Sequence, residues 1–300
     1  MKPTNKIILF LLAGFFLLGG AKAYGDFTPV KLSLTPAKYE ITLEPGESKN
    51  VLLSVTNSSD EKVKATLSVE NFLPSDDQEE VVRFTSERDV YSGRELISLQ
   101  KQILELNPRE EVKVPVRISV PSSLPHSGRF AVVFVTFVGE NSLQGGSTNV
   151  QSRLGSLFFI RVGHDFNESG ELTKFGLVND KKILWNGPIN FYTTFKNDGN
   201  VHLNPYGEIA VENIFGGEST TEIKPWFTLP GSTRTKTIEN ESVGWKVGKF
   251  KGVVKLNRGY DDVIDERQIY FWVVSLKSLA VGGGLVIAAA LGYRLKKSRA

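Results

Sequence analysis

From Lys31 to Val274 the chain alternates apolar and polar residues in short runs, and each run stops at Gly, Pro, Asn or Asp. Alternation with period two places every second side chain on one face of an extended strand, so each run predicts a strand with one face on a core. Tyr39–Leu43 meets Glu44-Pro45-Gly46-Glu47, where Pro suits the second turn position and Gly the third. Val51–Val55 ends at Asn57-Ser58-Ser59-Asp60; Val63–Val69 follows, then Gln102–Leu106 and Val112–Val120 about Asn107-Pro108. Phe130–Val138 alternates less, as a strand buried on both faces does. A second set comprises Asn190–Phe195, Tyr206–Asn213, Glu222–Phe227, Thr233–Ile238, Gly252–Leu256 and Arg267–Val274, with the tight-turn pair Asp198-Gly199 after its first strand. Short strands with turns every ten or so residues predict an all-β chain of two tandem immunoglobulin-like β-sandwich domains. The polar stretch His164–Gly170 divides them, giving domains at 24–165 and 166–274.

The two ends read differently. Lys2 and Lys6 precede the apolar run Ile7–Leu18, followed by Ala21-Lys22-Ala23, which predicts a signal peptide over 1–23 cleaved after Ala23. Ser275–Tyr293 carries one charge, Lys277, and is followed by Arg294, Lys296, Lys297 and Arg299. This stop-transfer pattern predicts a single transmembrane helix over 275–293, a cytoplasmic basic tail over 294–300 and an extracellular body on the cell membrane. Trp272, Lys277, Tyr293 and Arg294 fit membrane-interface positions. Ala280, Gly284, Ala288 and Gly292 recur every four residues, a small-residue stripe suited to a homodimer through the span.

Charge and composition narrow the partners. The chain carries 36 basic and 33 acidic residues, but both ends are basic, which leaves 24–276 with 28 against 33. An acidic body lacks the basic face that holds a phosphate backbone, so nucleic acid is not expected as a partner. Without cysteine there is no disulfide, thiolate zinc site or cysteine nucleophile, and stability must come from packing. Asn57, Asn167 and Asn240 each start a glycosylation sequon. Asp76, Asp77, Glu79 and Glu80 make an acidic loop over 76–80, read as solvated rather than as a calcium site because it lacks the EF-hand spacing. Gly139–Thr148 reads as a protruding hairpin tip.

No catalytic constellation emerges. His126, His164 and His202 stand 38 residues apart in turn-like contexts without metal spacing, and read as surface turn residues. Neither G-x-S-x-G nor a P-loop occurs, and adjacent Asp261 and Asp262 point to opposite faces if extended. No enzyme, metal or cofactor is expected. Leu124-Pro125-His126-Ser127-Gly128 mimics a wall-sorting site, but it opens a core strand and is better explained by turn chemistry. Trp185, Trp226 and Trp245 are the candidate partner-binding aromatics, against the alternative that they fill the core.

Leu34-Thr35-Pro36, Tyr39–Glu47, Val55–Ser58, Ser127–Phe130 and Ser152–Phe158 together resemble the N-terminal domain of WxL-interacting proteins, anchored surface proteins of Gram-positive bacteria. Phe195–His202, Pro205–Gly207 and Leu229–Ser232 resemble the immunoglobulin-like second domain of that family. The resemblance implies a cell-envelope role, the first domain associating with peptidoglycan and the second with a partner surface protein. The leading expectation is a non-enzymatic, membrane-anchored binding protein for cell-wall polymer or a surface protein. The alternative is a membrane-tethered, pilus-chaperone-like assembly factor that uses an open strand edge on exported subunits.

Overall fold

The computed structural model describes residues 31–75, 81–138, 151–185, 188–213, 216–242 and 247–298. The expected signal peptide, the acidic loop 76–80, the hairpin tip and Trp245 lie outside the described residues.

The first unit contains β1 (Leu32–Thr35), β2 (Lys38–Leu43), β3 (Ser48–Asn57), β4 (Val63–Pro74), β5 (Val82–Thr85), β6 (Ile97–Leu99), β7 (Ile103–Leu106), β8 (Glu111–Ser119), β9 (Ser127–Val138) and β10 (Gln151–Val162). One sheet has the order β1-β3-β8-β6; the other runs β2-β10-β9-β4-β5, with β7 also paired to β4. Alternation dictates the core between them. Leu53 and Val55 of β3 and Val114, Val116 and Ile118 of β8 meet Ala65, Leu67, Val133, Val135, Phe158 and Ile160 of the opposite sheet. Each such buried side chain contributes about 1.5–3 kcal/mol relative to exposure. Phe130, Val132 and Phe134 of β9 are buried on the reverse face with Phe72 and Phe159, so β9 is covered on both sides. Its weak alternation has this cause.

The second unit contains β11 (Gly170–Leu177), β12 (Ile183–Trp185), β13 (Pro188–Asn197), β14 (Tyr206–Asn213), β15 (Glu218–Ile223), β16 (Thr233–Ser242), β17 (Gly248–Asn257) and β18 (Ile264–Val274). They form sheets of order β11-β13-β16 and β12-β18-β17-β14-β15. Phe191, Phe195, Ile209, Val254, Leu256 and Phe271 pack between them. Phe227 and Leu229 of this unit reach across to the reverse face of β9, joining the aromatic layer of Phe72, Phe130 and Phe159. The polar stretch 164–170 runs between β10 and β11, and among the described strands no ladder crosses it.

Each unit has one asparagine at a strand end that organises its turn. Asn57 Nδ2 donates to the carbonyls of Glu61 (2.7 Å) and Asn107 (3.0 Å), while its Oδ1 accepts from the Ser59 amide. Asn197 Nδ2 donates to the carbonyls of Val201 and Thr228, both at 2.8 Å, and its Oδ1 accepts from the Gly199 amide. Both side chains are fully buried, which closes the Asn57 sequon to modification in the folded state.

Three sequence readings change. The strand expected at Glu222–Phe227 ends at Ile223, because Pro225 has no N–H for a ladder and the chain leaves the sheet. The interruption Pro74–Glu95 holds β5 and leads into a helical turn at Arg94–Leu96. The segment expected to span a membrane is a helix, α1 (Leu276–Ser298), yet among the described residues no helix is long and apolar enough to cross a membrane. Gly282-Gly283-Gly284 and the basic end from Arg294 dilute its apolar character. The membrane-anchoring expectation therefore has no support from the fold. A side chain at Gly284 would meet nothing within 4 Å among the described residues, so that position of the small-residue stripe faces open space.

Candidate functional site

The β9–β10 hairpin keeps an unbroken antiparallel register from Ser127↔Val162 to Val138↔Gln151. On its other side β10 has a shorter neighbour: β2 pairs in parallel only with Leu157–Val162. The reason lies in the first strand. β1 pairs with β3 in the opposite sheet, the chain crosses over at Pro36-Ala37, and the ladder to β10 starts only at Lys38. Among the described residues no strand pairs with Gln151–Ser156 on that side.

The direction of the open groups follows from one bond. The Leu157 amide donates to the Ala37 carbonyl at 2.9 Å, so residue 157 points its backbone polar groups toward β2. Strand geometry repeats every second residue, which aims both backbone groups of Arg153 and of Gly155 at the open side. The half-strand is held stiffly. Leu154 packs on the first core, the Arg153 guanidinium lies 3.4 Å from the Phe134 ring centre and pairs with Glu70, and the Ser156 hydroxyl donates to the Pro36 carbonyl. Gly155 has no Cβ because one would sit 2.9 Å from the Phe134 ring. An ordered edge of this kind offers its unpaired donors and acceptors to an incoming strand at little ordering cost.

The second candidate is a cavity of about 730 Å³ between Pro74, Ser75 and Val81 of the first unit and the outer face of β11-β13-β16. Several of its hydroxyls are engaged within the protein: Thr194 with Thr235 at 2.9 Å, Ser232 on the Leu229 carbonyl, and Tyr192 donating to Asp180 at 3.2 Å. The open half of β10 is the better site, because among the described residues no strand pairs with its outward backbone groups.

The sequence-predicted residues are scattered rather than convergent. Trp185 is 60% exposed on β12, an edge strand, and fits an accessible aromatic. Trp226 does not: it is 6% exposed, packed edge-on to Phe195, with the Arg234 and Lys236 cations over its ring. Burial pushes the Arg234 guanidinium below its ordinary value. Trp272 is exposed on β18 with its amide bonded to the Lys182 carbonyl, and Lys277 opens α1. Asp261 and Asp262 occupy left-handed positions (φ 48° and 52°) in the turn between β17 and β18. His202, expected at the surface, is only 2% exposed. Among the described residues no three His, Asp or Glu side chains are placed to hold a metal ion.

The open edge itself was not singled out in the sequence. Its only signal was Pro36, which stops β1 and delays the ladder to β10.

Two β-sandwiches, with a half-strand of β10 that no described strand pairs on one side, make this an all-β chain. No protein-family model matches the chain, and no curated protein matches it. Among solved structures it is similar to the class 5 fimbriae chaperone CfaA, with a TM-score of 0.40 and 14% identity over 82% of this chain and 100% of that one. It is also similar to the YadV chaperone (TM-score 0.37, 10% identity, 80% and 99% covered). A third is the CsuC–CsuE chaperone–tip adhesion subunit pre-assembly complex of Acinetobacter baumannii (TM-score 0.36, 13% identity, 82% and 99% covered).

Proposed function

We propose that the chain is a non-enzymatic binding protein of the cell exterior that captures an extended segment of a partner protein by strand addition to the open half of β10. The observation that supports this reading is the mismatch between a β10 ladder of twelve residues on one side and six on the other. Capture of an extended segment is what an assembly factor for exported subunits does, so this geometry favours the chaperone-like role over peptidoglycan binding. The exterior location rests on the signal-like N-terminus and the resemblance to WxL-interacting proteins.

The test uses the full chain and an exported subunit unfolded in urea and diluted into binding buffer. Arg153→Pro removes an outward amide without touching the β9 ladder, whereas Arg153→Ala removes only the side chain. Arg153→Pro is expected to weaken capture at least about tenfold relative to Arg153→Ala, from one lost hydrogen bond and a ring in the path of the added strand. Equal capture by the two variants would overturn the proposal.

A further inference from the structure

All three histidines of the chain lie at the junction between the two sandwiches. His202, in the loop after β13, inserts its ring against the first unit, 4.7 Å from Phe159 and 6.0 Å from Phe130 between ring centres. Its Nε2 lies 3.8 Å from Glu40 on β2, and its buried Nδ1 has no hydrogen-bond partner among the described residues. His126, before β9, and His164, after β10, place their rings 5.2 Å apart. Gly163, at φ +84°, leaves room for this: a Cβ there would sit 2.5 Å from the His126 ring. Asp165 lies 3.9 Å from His126 and 3.6 Å from His164, and Glu44 lies 3.3 Å from His164.

Among the described residues few hydrogen bonds tie the units here besides the bond from Arg161 to Glu168 in the linking stretch. The Gly128 amide donates to the Asn200 carbonyl (2.8 Å), Asn200 Nδ2 to the His126 carbonyl (3.1 Å) and Asn204 Nδ2 to Glu40 (3.1 Å). Separation of the units would break these bonds and bring His202 into water.

We propose that this junction is an acid-sensitive hinge, in which protonation of the His202 imidazole drives the two sandwiches apart. The groups facing His202 set the sign. Glu40 attracts a proton to it, but that carboxylate already takes the Lys38 ammonium at 2.6 Å, and Lys38 and Arg161 both repel an imidazolium. Burial dominates and depresses His202 below its ordinary value of 6.5. The closed junction therefore holds the neutral ring, while the opened one binds a proton, so closure is favoured above pH 6.5 and weakens as pH falls below it. Contacts from His202 and then Lys38 hold Glu40 far below the usual carboxylate range, so Glu40 stays ionised throughout this window. Between pH 7.5 and 5.0 the opening constant rises by at most about 30-fold, the limit for one imidazole that titrates only when open.

The test is made on the full chain with histidine-selective isotope labelling, in which three imidazoles give three titration curves. His202 is expected to titrate below 6.5. Hydrogen exchange at the Gly128 amide, corrected for intrinsic rate, is expected to accelerate by up to about 30-fold from pH 7.5 to 5.0. The Val133 amide, inside the β9 ladder, should not follow it. His202→Phe, which keeps an aromatic ring against Phe159, should abolish the acceleration, and His126→Asn/His164→Asn should leave most of it. An unresponsive Gly128 in the wild type, an undiminished response in His202→Phe, or a His202 titration at or above its ordinary value would each overturn the hinge.

Discussion

Phe159→Ala is expected to cost about 4 kcal/mol in equilibrium urea unfolding of the full chain, in the range for removing a fully buried aromatic side chain. Phe159 is completely buried at the meeting point of the two units. Its ring centre lies 5.1 Å from Phe72, 5.8 Å from Phe130, 5.0 Å from Phe227 and 4.7 Å from His202, so the substitution empties a site lined by both units. The loss should fall on the coupling between them: a variant unfolding in two separated steps is the expected trace. Phe159→Leu refills part of the volume and should recover roughly half of the loss. A change below about 1 kcal/mol for the alanine variant would show that the aromatic layer is not a packing centre.

Asn197→Ala should cost about 3 kcal/mol, although it removes only a small side chain. The amide satisfies the buried Val201 carbonyl and the Gly199 amide, and alanine strands both, while the Thr228 carbonyl loses one of two bonds and keeps the Leu203 amide. Each buried polar group stranded in this way costs about 1–3 kcal/mol, and partial relaxation keeps the sum below two full upper penalties. Asn57→Ala should act in the same direction but more weakly in the first unit: the Ser59 amide loses its partner, while the Glu61 carbonyl keeps the Ser59 hydroxyl and the Asn107 carbonyl keeps the Glu110 amide. Midpoints for both variants within about 0.5 kcal/mol of wild type would refute the view that these asparagines hold their turns.

Much of the architecture follows from local pattern. Alternation located strands such as β3, β8, β14 and β17, and the reduced alternation of Phe130–Val138 anticipated a strand covered on both faces. β10 escaped because Ser152, Arg153, Gly155 and Ser156 break its apolar rhythm, and the last three answer to neighbours from elsewhere in the chain. Gly155 makes room for Phe134, Arg153 reaches Glu70, and Ser156 bonds Pro36. Apart from Pro36, the site therefore left no signal in any short window of sequence. His202 was misplaced for the same reason: a histidine after Asp198-Gly199 looks like a surface turn residue, and only the first unit packed against it buries it; for Trp226 the burial favours the core alternative over the partner-binding one. The helix at the C-terminal end was legible as a helix, whereas its environment was not.

The reach of Phe227 and Leu229 onto the back of β9 bears on how the chain behaves once its covalent continuity is lost. A protease that nicks the polar stretch 164–170 would leave two fragments still cemented by the shared aromatic layer, and they should co-elute as a split protein on gel filtration. Prised apart, the N-terminal fragment would present the rings of Phe72, Phe130 and Phe159 to water, a sticky surface prone to self-association. The two sandwiches are thus one unit of inheritance: a gene rearrangement that shuffled either without the other would have to invent a new cover for these rings.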